Sequence, residues 1–289
     1  MKKIIAVLVI FNVILLSCGC THEKLETDDV TTKEEKSLPE MDFGYANIDG
    51  TMLIVLYDHE VDDNKSLNHF EYAIGANGRS FEIEYSHYQE RDEVNDNGRQ
   101  TMFNFENQAG CIYDVKDAAA IPNDTYMLLT KEEYDRSVIF QVAGEPEILP
   151  ASDDLLVKCS ELAERKTKNG WKLTEYQNGI KVSMIEFESI DRDLLVWMVF
   201  EDGDTFWYHE FPAVLSDDGQ TGWRLEDFGN LHDEDFNVFS ILCCVQSDQK
   251  TTVYLNWWGS EGEIVVAVEF FENGTSTNKT VAGRYMVGV

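Results

Sequence analysis

The residues in this chain best suited to chemistry are carboxylates, and they gather most densely in residues 216–235, Ser-Asp-Asp-Gly-Gln-Thr-Gly-Trp-Arg-Leu-Glu-Asp-Phe-Gly-Asn-Leu-His-Asp-Glu-Asp. Asp217, Asp218, Asp227, Asp233 and Asp235 supply the hard oxygen donors that calcium takes, and Trp223 and His232 lie among them. Twenty residues without a hydrophobic period, set between two strong strands, is long for a connection in a compact domain. Two readings are open: a site for a cation or ligand, or a solvated acidic connection with Trp223 and Phe228 plugged onto the core. Trp257-Trp258, ahead of Gly259-Ser260-Glu261-Gly262, is the second aromatic feature. Neighbours on a strand face opposite ways, so both indoles are core only if both faces of the sheet are covered. An indole beside carboxylates is a common way to hold a sugar. The candidate ligand-binding residues are therefore Trp223, Trp257, Trp258 and His232, with a glycan or a protein as partner.

Signatures of catalysis are missing. There is no Gly-x-Ser-x-Gly, no phosphate-binding glycine loop and no His-Glu-x-x-His. The six histidines (His22, His59, His69, His87, His209 and His232) are scattered, none paired with another at metal spacing. With 54 carboxylates, two that could flank a glycosidic bond arise by chance, so a paired-acid argument has no force. Glu93-Val-Asn-Asp-Asn-Gly98 spaces oxygen donors like a calcium loop, but Glu replaces the first Asp and Asn104 stands at the twelfth position. A hairpin turn at Asn97-Gly98 accounts for it more simply. Cys111, Cys159, Cys243 and Cys244 include no Cys-x-x-Cys pair, so neither zinc nor a disulfide framework is indicated. The chain calls for no cofactor; calcium at the acidic loop is the exception to test.

Met1-Lys2-Lys3 opens the chain, and Ile4 to Leu16 follow with Asn12 as the single polar interruption. A helix of that length spans about 20 Å, short of a hydrocarbon core of about 30 Å. Leu15-Leu16-Ser17-Cys18 comes next, with Leu three residues and Ser one residue before the cysteine. The stretch resembles a bacterial lipoprotein signal peptide. That resemblance implies cleavage before Cys18, a diacylglyceryl group on its sulfur and often a further palmitate-type chain on the new amino terminus. Cys20, preceded by Gly19, is the alternative lipidation site. Two or three acyl chains give stable anchoring where one gives reversible binding. The implied location is the cell membrane or outer membrane, facing away from the cytoplasm, with the bilayer itself as partner.

Loss of residues 1–17 removes Lys2 and Lys3 and no acid, leaving 21 basic against 54 acidic residues, a formal charge of −33. Such a field repels nucleic acid and anionic headgroups and suits divalent cations or basic partners. Residues 18–40 form a flexible acidic tether, with scattered aliphatics and no aromatic, holding the domain about 25 Å from the membrane.

The elements that must position these residues are mostly strands. Between residues 41 and 143 the signals are β: a continuous apolar run at 51–57, clean alternation at 81–85, and further candidates at 101–105, 111–115, 125–130 and 138–142, with a short helix at 131–136. Asp49-Gly50, Asn77-Gly78 and Asn97-Gly98 punctuate them as turns. Residues 144–151, with two prolines, form the candidate linker between two folding units. Ser152 caps a helix that carries Leu155, Cys159 and Leu162 on one face and ends at Asn169-Gly170. Strands fill the rest of 152–289, and Leu194 to Phe200 is apolar on both faces, an interior strand with the helix on one side. Cys243 and Cys244, adjacent on a strand, read as small core residues on opposite faces.

The expected fold class is α+β, mostly antiparallel β. An all-β sandwich or barrel-like unit (41–143) precedes a helix-on-antiparallel-sheet unit (152–289). The expected function is an anchored extracytoplasmic lipoprotein that binds a ligand or partner. The alternatives are an envelope-structural or protective lipoprotein without ligand and, with least support, a hydrolase of extracellular polymers.

Overall fold

The computed structural model of the chain describes residues 41–58, 67–144, 147–214, 238–247, 250–259 and 261–286. Cys18, Cys20, His59 and the whole of 216–235, with Trp223, His232 and their aspartates, lie outside the described residues. All described residues belong to one compact unit.

Six antiparallel strands close a small barrel: β1 (Met41–Ala46), β2 (Met52–Leu56), β3 (Tyr72–Gly75), β4 (Arg79–Gln89), β5 (Gly110–Val115) and β6 (Thr125–Leu129), in the order β1-β2-β5-β4-β3-β6. Its lumen is packed with Leu53, Val55, Phe70, Phe81, Ile83, Tyr113, Tyr126 and Leu128. The alternation read from β4 holds: Phe81 and Ile83 are buried while Glu82 and Glu84 are exposed. Ile54 of β2 points out of the lumen but is covered by Tyr45, Phe105 and Ile112, which is why that strand is apolar throughout.

After α1 (Lys131–Arg136) come β7 (Val138–Ile139), β8 (Leu149–Pro150), α2 (Asp153–Ala163), β9 (Thr167–Glu175), β10 (Lys181–Phe187), β11 (Asp193–Asp202), β12 (Thr205–Val214), β13 (Phe239–Ser247), β14 (Lys250–Gly259), β15 (Gly262–Phe271) and β16 (Ser276–Tyr285). They build two five-stranded antiparallel sheets, β12-β11-β10-β9-β8 and β16-β15-β14-β13-β7. The sheets face each other across Val182, Met184, Val196, Met198 and Phe200 on one side and Cys244, Val253, Leu255, Val266 and Val268 on the other. Helix α2 lies on the outer face of the first sheet, where Leu155 and Cys159 meet Ile185, Phe187, Trp197 and Val199. The barrel lies on the outer face of the second, where Ile74, Met127 and Leu129 meet Leu242, Cys243, Val265 and Ala267.

The order helix, sheet, sheet, barrel explains why β11 and β13 are apolar on both faces. Trp197 and Val199 of β11 turn to the helix while Val196, Met198 and Phe200 turn to the sandwich core. Cys243 faces the barrel, Cys244 the sandwich, and both are fully buried free thiols.

The proline segment 144–151 follows residues that already belong to the second sheet: Ile139 pairs with Val245, and Phe140 and Val142 pack into the sandwich core. The Asn77-Gly78 turn also bridges barrel and sandwich. Gly78 donates its N–H to the Leu242 carbonyl at 3.0 Å, and Asn77 Nδ2 donates to Thr174 Oγ1 at 3.0 Å. Both residues hold positive φ, the conformation an Asn-Gly turn tolerates best.

Three local expectations are corrected. Residues 101–105 are turns leading into a single 3₁₀ turn at Phe105–Asn107, not a strand, because Asn104 spends its side chain on Asp96, Arg99 and Asn107. Asn97-Gly98 sits within the long β4–β5 connection and not in a tight hairpin. Helix α2 ends at Ala163, with Glu164 left-handed at φ 50°, so Leu162 is 52% exposed. Asn169-Gly170 therefore falls inside β9. The glycine is needed there for close approach: a Cβ at Gly170 would lie 2.6 Å from Leu156 Cδ2 and 2.9 Å from Ile185 Cδ1. Gly170→Ala is expected to lower stability by about 1–2 kcal/mol through overpacking between helix and sheet, measured by urea unfolding. An unchanged midpoint would show that the two side-chain tips move aside freely.

Candidate ligand cleft at the sandwich edge

The last hairpin positions the best candidate site. In β14 and β15, Trp257 stands opposite Ile264 and Leu255 opposite Val266; in β15 and β16, Val266 stands opposite Thr280 and Glu263 opposite Arg284. Alternation sends Trp257, Ile264, Val266 and Thr280 toward the sandwich interior and Glu263 and Arg284 toward the barrel. Where the sandwich opens, between the edge strands β12 and β16, lies a cleft of about 660 Å³. Its apolar wall is Phe211, Trp257, Ile264 and Val266; its polar groups are Gln100, Asn278, Thr280 and Glu261; Trp258 and Tyr285 complete it. That volume falls in the range of small-ligand sites.

An aromatic row leads into the cleft. His209 meets Phe211 at 5.0 Å, Phe211 meets Trp257 at 5.2 Å and Trp257 meets Phe239 at 4.7 Å, all steeply tilted ring pairs. His209 also fastens the two edges together. Asn278 Nδ2 donates to its Nε2 at 2.7 Å, so Nδ1 carries the proton and donates to Ser276 Oγ at 2.9 Å. Ser276 donates its own hydroxyl to the Tyr208 carbonyl at 3.0 Å, so the pair is a clasp and not an activated nucleophile. Burial pushes the His209 pKa down, in keeping with a neutral ring.

On the barrel side of β16 is a second hollow of about 220 Å³, walled by Asp42, Phe43, Tyr45, Ile54 and Val265. Gln100, Glu263, Gly283 and Arg284 are common to both hollows. Arg284 is buried, and all five of its N–H groups are engaged. Nε and Nη2 reach the Gln100 carbonyl, Nη1 reaches the Asn123 carbonyl at 2.7 Å and Thr125 Oγ1 at 2.9 Å, and Nη2 also reaches Asn123 Oδ1 and Met286 Sδ. Its guanidinium lies 4.3 Å from the Tyr45 ring centre, and Nη1 lies 3.4 Å from Glu263 Oε1. Thr125 donates its hydroxyl to the same Glu263 oxygen. Nearby, burial and the charge of Glu263 push the Asp124 carboxyl up to about 6, with Arg284 holding it down in part.

The β4–β5 connection reaches across to close this end. Gln100 donates its N–H to the Tyr285 carbonyl at 2.7 Å, and Tyr285 N–H donates to Gln100 Oε1 at 2.8 Å. The calcium-like spacing in the same connection serves the loop itself. Asp92 accepts from the backbone of Val94 and Asn95, and Asp96 accepts from Gly98 N–H and Asn104 and pairs with Arg91 at 2.8 Å. Among the described residues no group of three or more His, Cys, Asp or Glu is placed to hold a metal.

Of the residues singled out in the sequence, the structure brings Trp257 and Trp258 to one site. They leave opposite faces of β14, yet both line the cleft because it wraps around the hairpin end at Gly259 to Gly262. His209, Asn278, Gln100, Glu263 and Arg284 were not singled out. Glu263 precedes the apolar run of β15 and Arg284 lies near the end of the more polar β16, and nothing local says that they face each other. Comparison with family models, with curated proteins and with solved structures returns no match for this chain.

Proposed function

We propose that the protein is a membrane-anchored extracytoplasmic lipoprotein that binds a ligand or partner group in the cleft between β12 and β16. The observation that carries the binding reading is the convergence of four aromatic rings with neutral amide and hydroxyl groups on an open volume of about 660 Å³. The anchoring reading rests on the basic, apolar and Cys18 pattern at the amino terminus. Binding is tested by a thermal-shift screen of the mature chain with glycans, short peptides and calcium, since a ligand that prefers the folded state raises its melting temperature. A hit should lose its shift in Trp258→Ala while the unliganded melting temperature stays within a few degrees. If every shift survives that substitution, the cleft is not the site.

Anchoring has its own expected result. Cys18→Ala should abolish incorporation of labelled fatty acid and release the protein from the membrane fraction, because the thiol is the attachment point. Label retained in the variant would move the anchor to Cys20 or elsewhere.

A further inference from the structure

We infer that the cleft recognises an organic ammonium group, carried by a lysine side chain of a partner protein or by a small quaternary amine. The inference rests on the cleft being a binding site and adds the chemistry of what enters it. Among the described lining residues the only cation is Arg284, and each of its N–H groups already has an acceptor. A phosphate or carboxylate entering the cleft would therefore find no unengaged guanidinium. The acids on the same wall are Glu263, which balances Arg284, and Glu261 at the hairpin end. Among the described lining residues, with Arg284 neutralised, Glu261 leaves a net negative charge. The walls are π-rich, with Trp257, Trp258, Tyr285 and Phe211, and a ring face attracts an ammonium group. The chain as a whole carries −31, which draws cations toward any low-dielectric recess.

Gly283 supplies the room. It lines both hollows, its φ lies outside the left-handed region, and a Cβ there would have its nearest neighbours at 3.4 Å (Ile264 Cγ2) and 3.6 Å (Glu263 carbonyl). Neither backbone conformation nor packing demands glycine at this position of a strand, where glycine is unfavourable. Its missing side chain leaves unfilled the space that a larger residue would take from the cleft beside Ile264.

The test is a fluorescence titration of the tryptophans in the mature chain with four probes: Nα-acetyl-lysine amide, choline, Nα-acetyl-norleucine amide and cellobiose. The lysine derivative and norleucine derivative share a chain and differ in charge. An ammonium probe is expected to bind at least tenfold tighter than norleucine, and to weaken severalfold between about 20 and 500 mM salt as the field is screened. Glu261→Gln should cost the ammonium probe about fivefold and leave norleucine unchanged. Gly283→Val, a substitution that suits a strand, should abolish binding without lowering the melting temperature. Lysine tighter than choline points to a protein partner, and the reverse to a small amine. Norleucine or cellobiose binding as well as the ammonium probes would overturn the inference and leave the cleft standing. No response to any of the four overturns it as well, and the cleft itself falls only if the thermal-shift screen also gives no Trp258-dependent hit.

Discussion

Arg284→Met is expected to cost about 3–5 kcal/mol of folding free energy. Arg284 is 9% exposed and Glu263 is 5% exposed, so removing the cation leaves an uncompensated carboxylate between barrel and sandwich. It also strands the Gln100 and Asn123 carbonyls and removes the cation from the Tyr45 face. Methionine matches much of the apolar volume, so the loss reads charge and hydrogen bonding more than a cavity. The double variant Glu263→Gln with Arg284→Met should recover a substantial part of the loss, because it leaves a buried amide in place of a buried charge. Urea unfolding followed by circular dichroism measures both. A loss below about 1 kcal/mol in the single variant, or a double variant no better than the single, would mean that water reaches this network freely.

The second large effect is a pH dependence in which two groups pull in opposite directions. Asp124 has a carboxyl raised to about 6 in the fold against 3.8 for the ordinary group, chiefly by burial. Above pH 6 it is ionised in both states and the folded protein bears the whole cost. As pH falls through 6 the folded state takes the proton first, and stability rises until about pH 3.8, where the unfolded chain is protonated too. Two pKa units correspond to about 3 kcal/mol. His209 works the other way. Its pKa is lowered by burial, so as pH falls below 6.5 the unfolded chain takes the proton first and stability is lost down to the folded value. Asp124→Asn should remove the acid-side gain. Relative to that variant, wild type should become about 3 kcal/mol more stable between pH 7 and pH 4. His209→Gln should remove the opposing loss over the window just below 6.5. Carboxylates with lowered values, such as Asp92 and Asp96, are common to all three proteins and cancel in the comparison. Stability curves that stay parallel from pH 7 to pH 4 would show that neither group titrates across folding.

Much of the strand content was legible because period-2 patterning is local. Phe81 to Tyr85 could be read residue by residue, and Leu194 to Phe200 announced that both of its faces are covered. The α2 cap was legible for the same reason: Ser152 accepts from Leu155 N–H at 3.3 Å, a bond between near neighbours. The two Asn-Gly pairs at 97–98 and 169–170 misled because that dipeptide is chosen for more than tight turns. At 170 the glycine admits the helix α2 that precedes it, packed back onto the sheet, and at 98 it serves a loop closed by Asp96 and Asn104.

Of the site, Trp257 and Trp258 were legible as unusual residues but not as lining one cleft. The Arg284 network was not legible. Arg284 lies 159 residues from Thr125 and 184 from Gln100, and Thr125 lies 138 from Glu263. Local patterning carries no information about partners at such separations.

By itself the sequence determined the acidic charge, the basic and then apolar start, the antiparallel β character and which strands had to be covered twice, because each depends on composition or on neighbours a few residues apart. The helix that covers Trp197 and Val199 was itself expected from the sequence, but only the tertiary structure decided the other covers: Cys243 needed an apolar neighbour and found the barrel. Burial is non-directional and accepts any apolar cover of the right shape, so patterning can state that a face is buried without stating against what. The cleft, and the buried ion pair beside it, exist where the barrel, the first sheet and the second sheet meet, and that meeting is fixed by long-range packing alone.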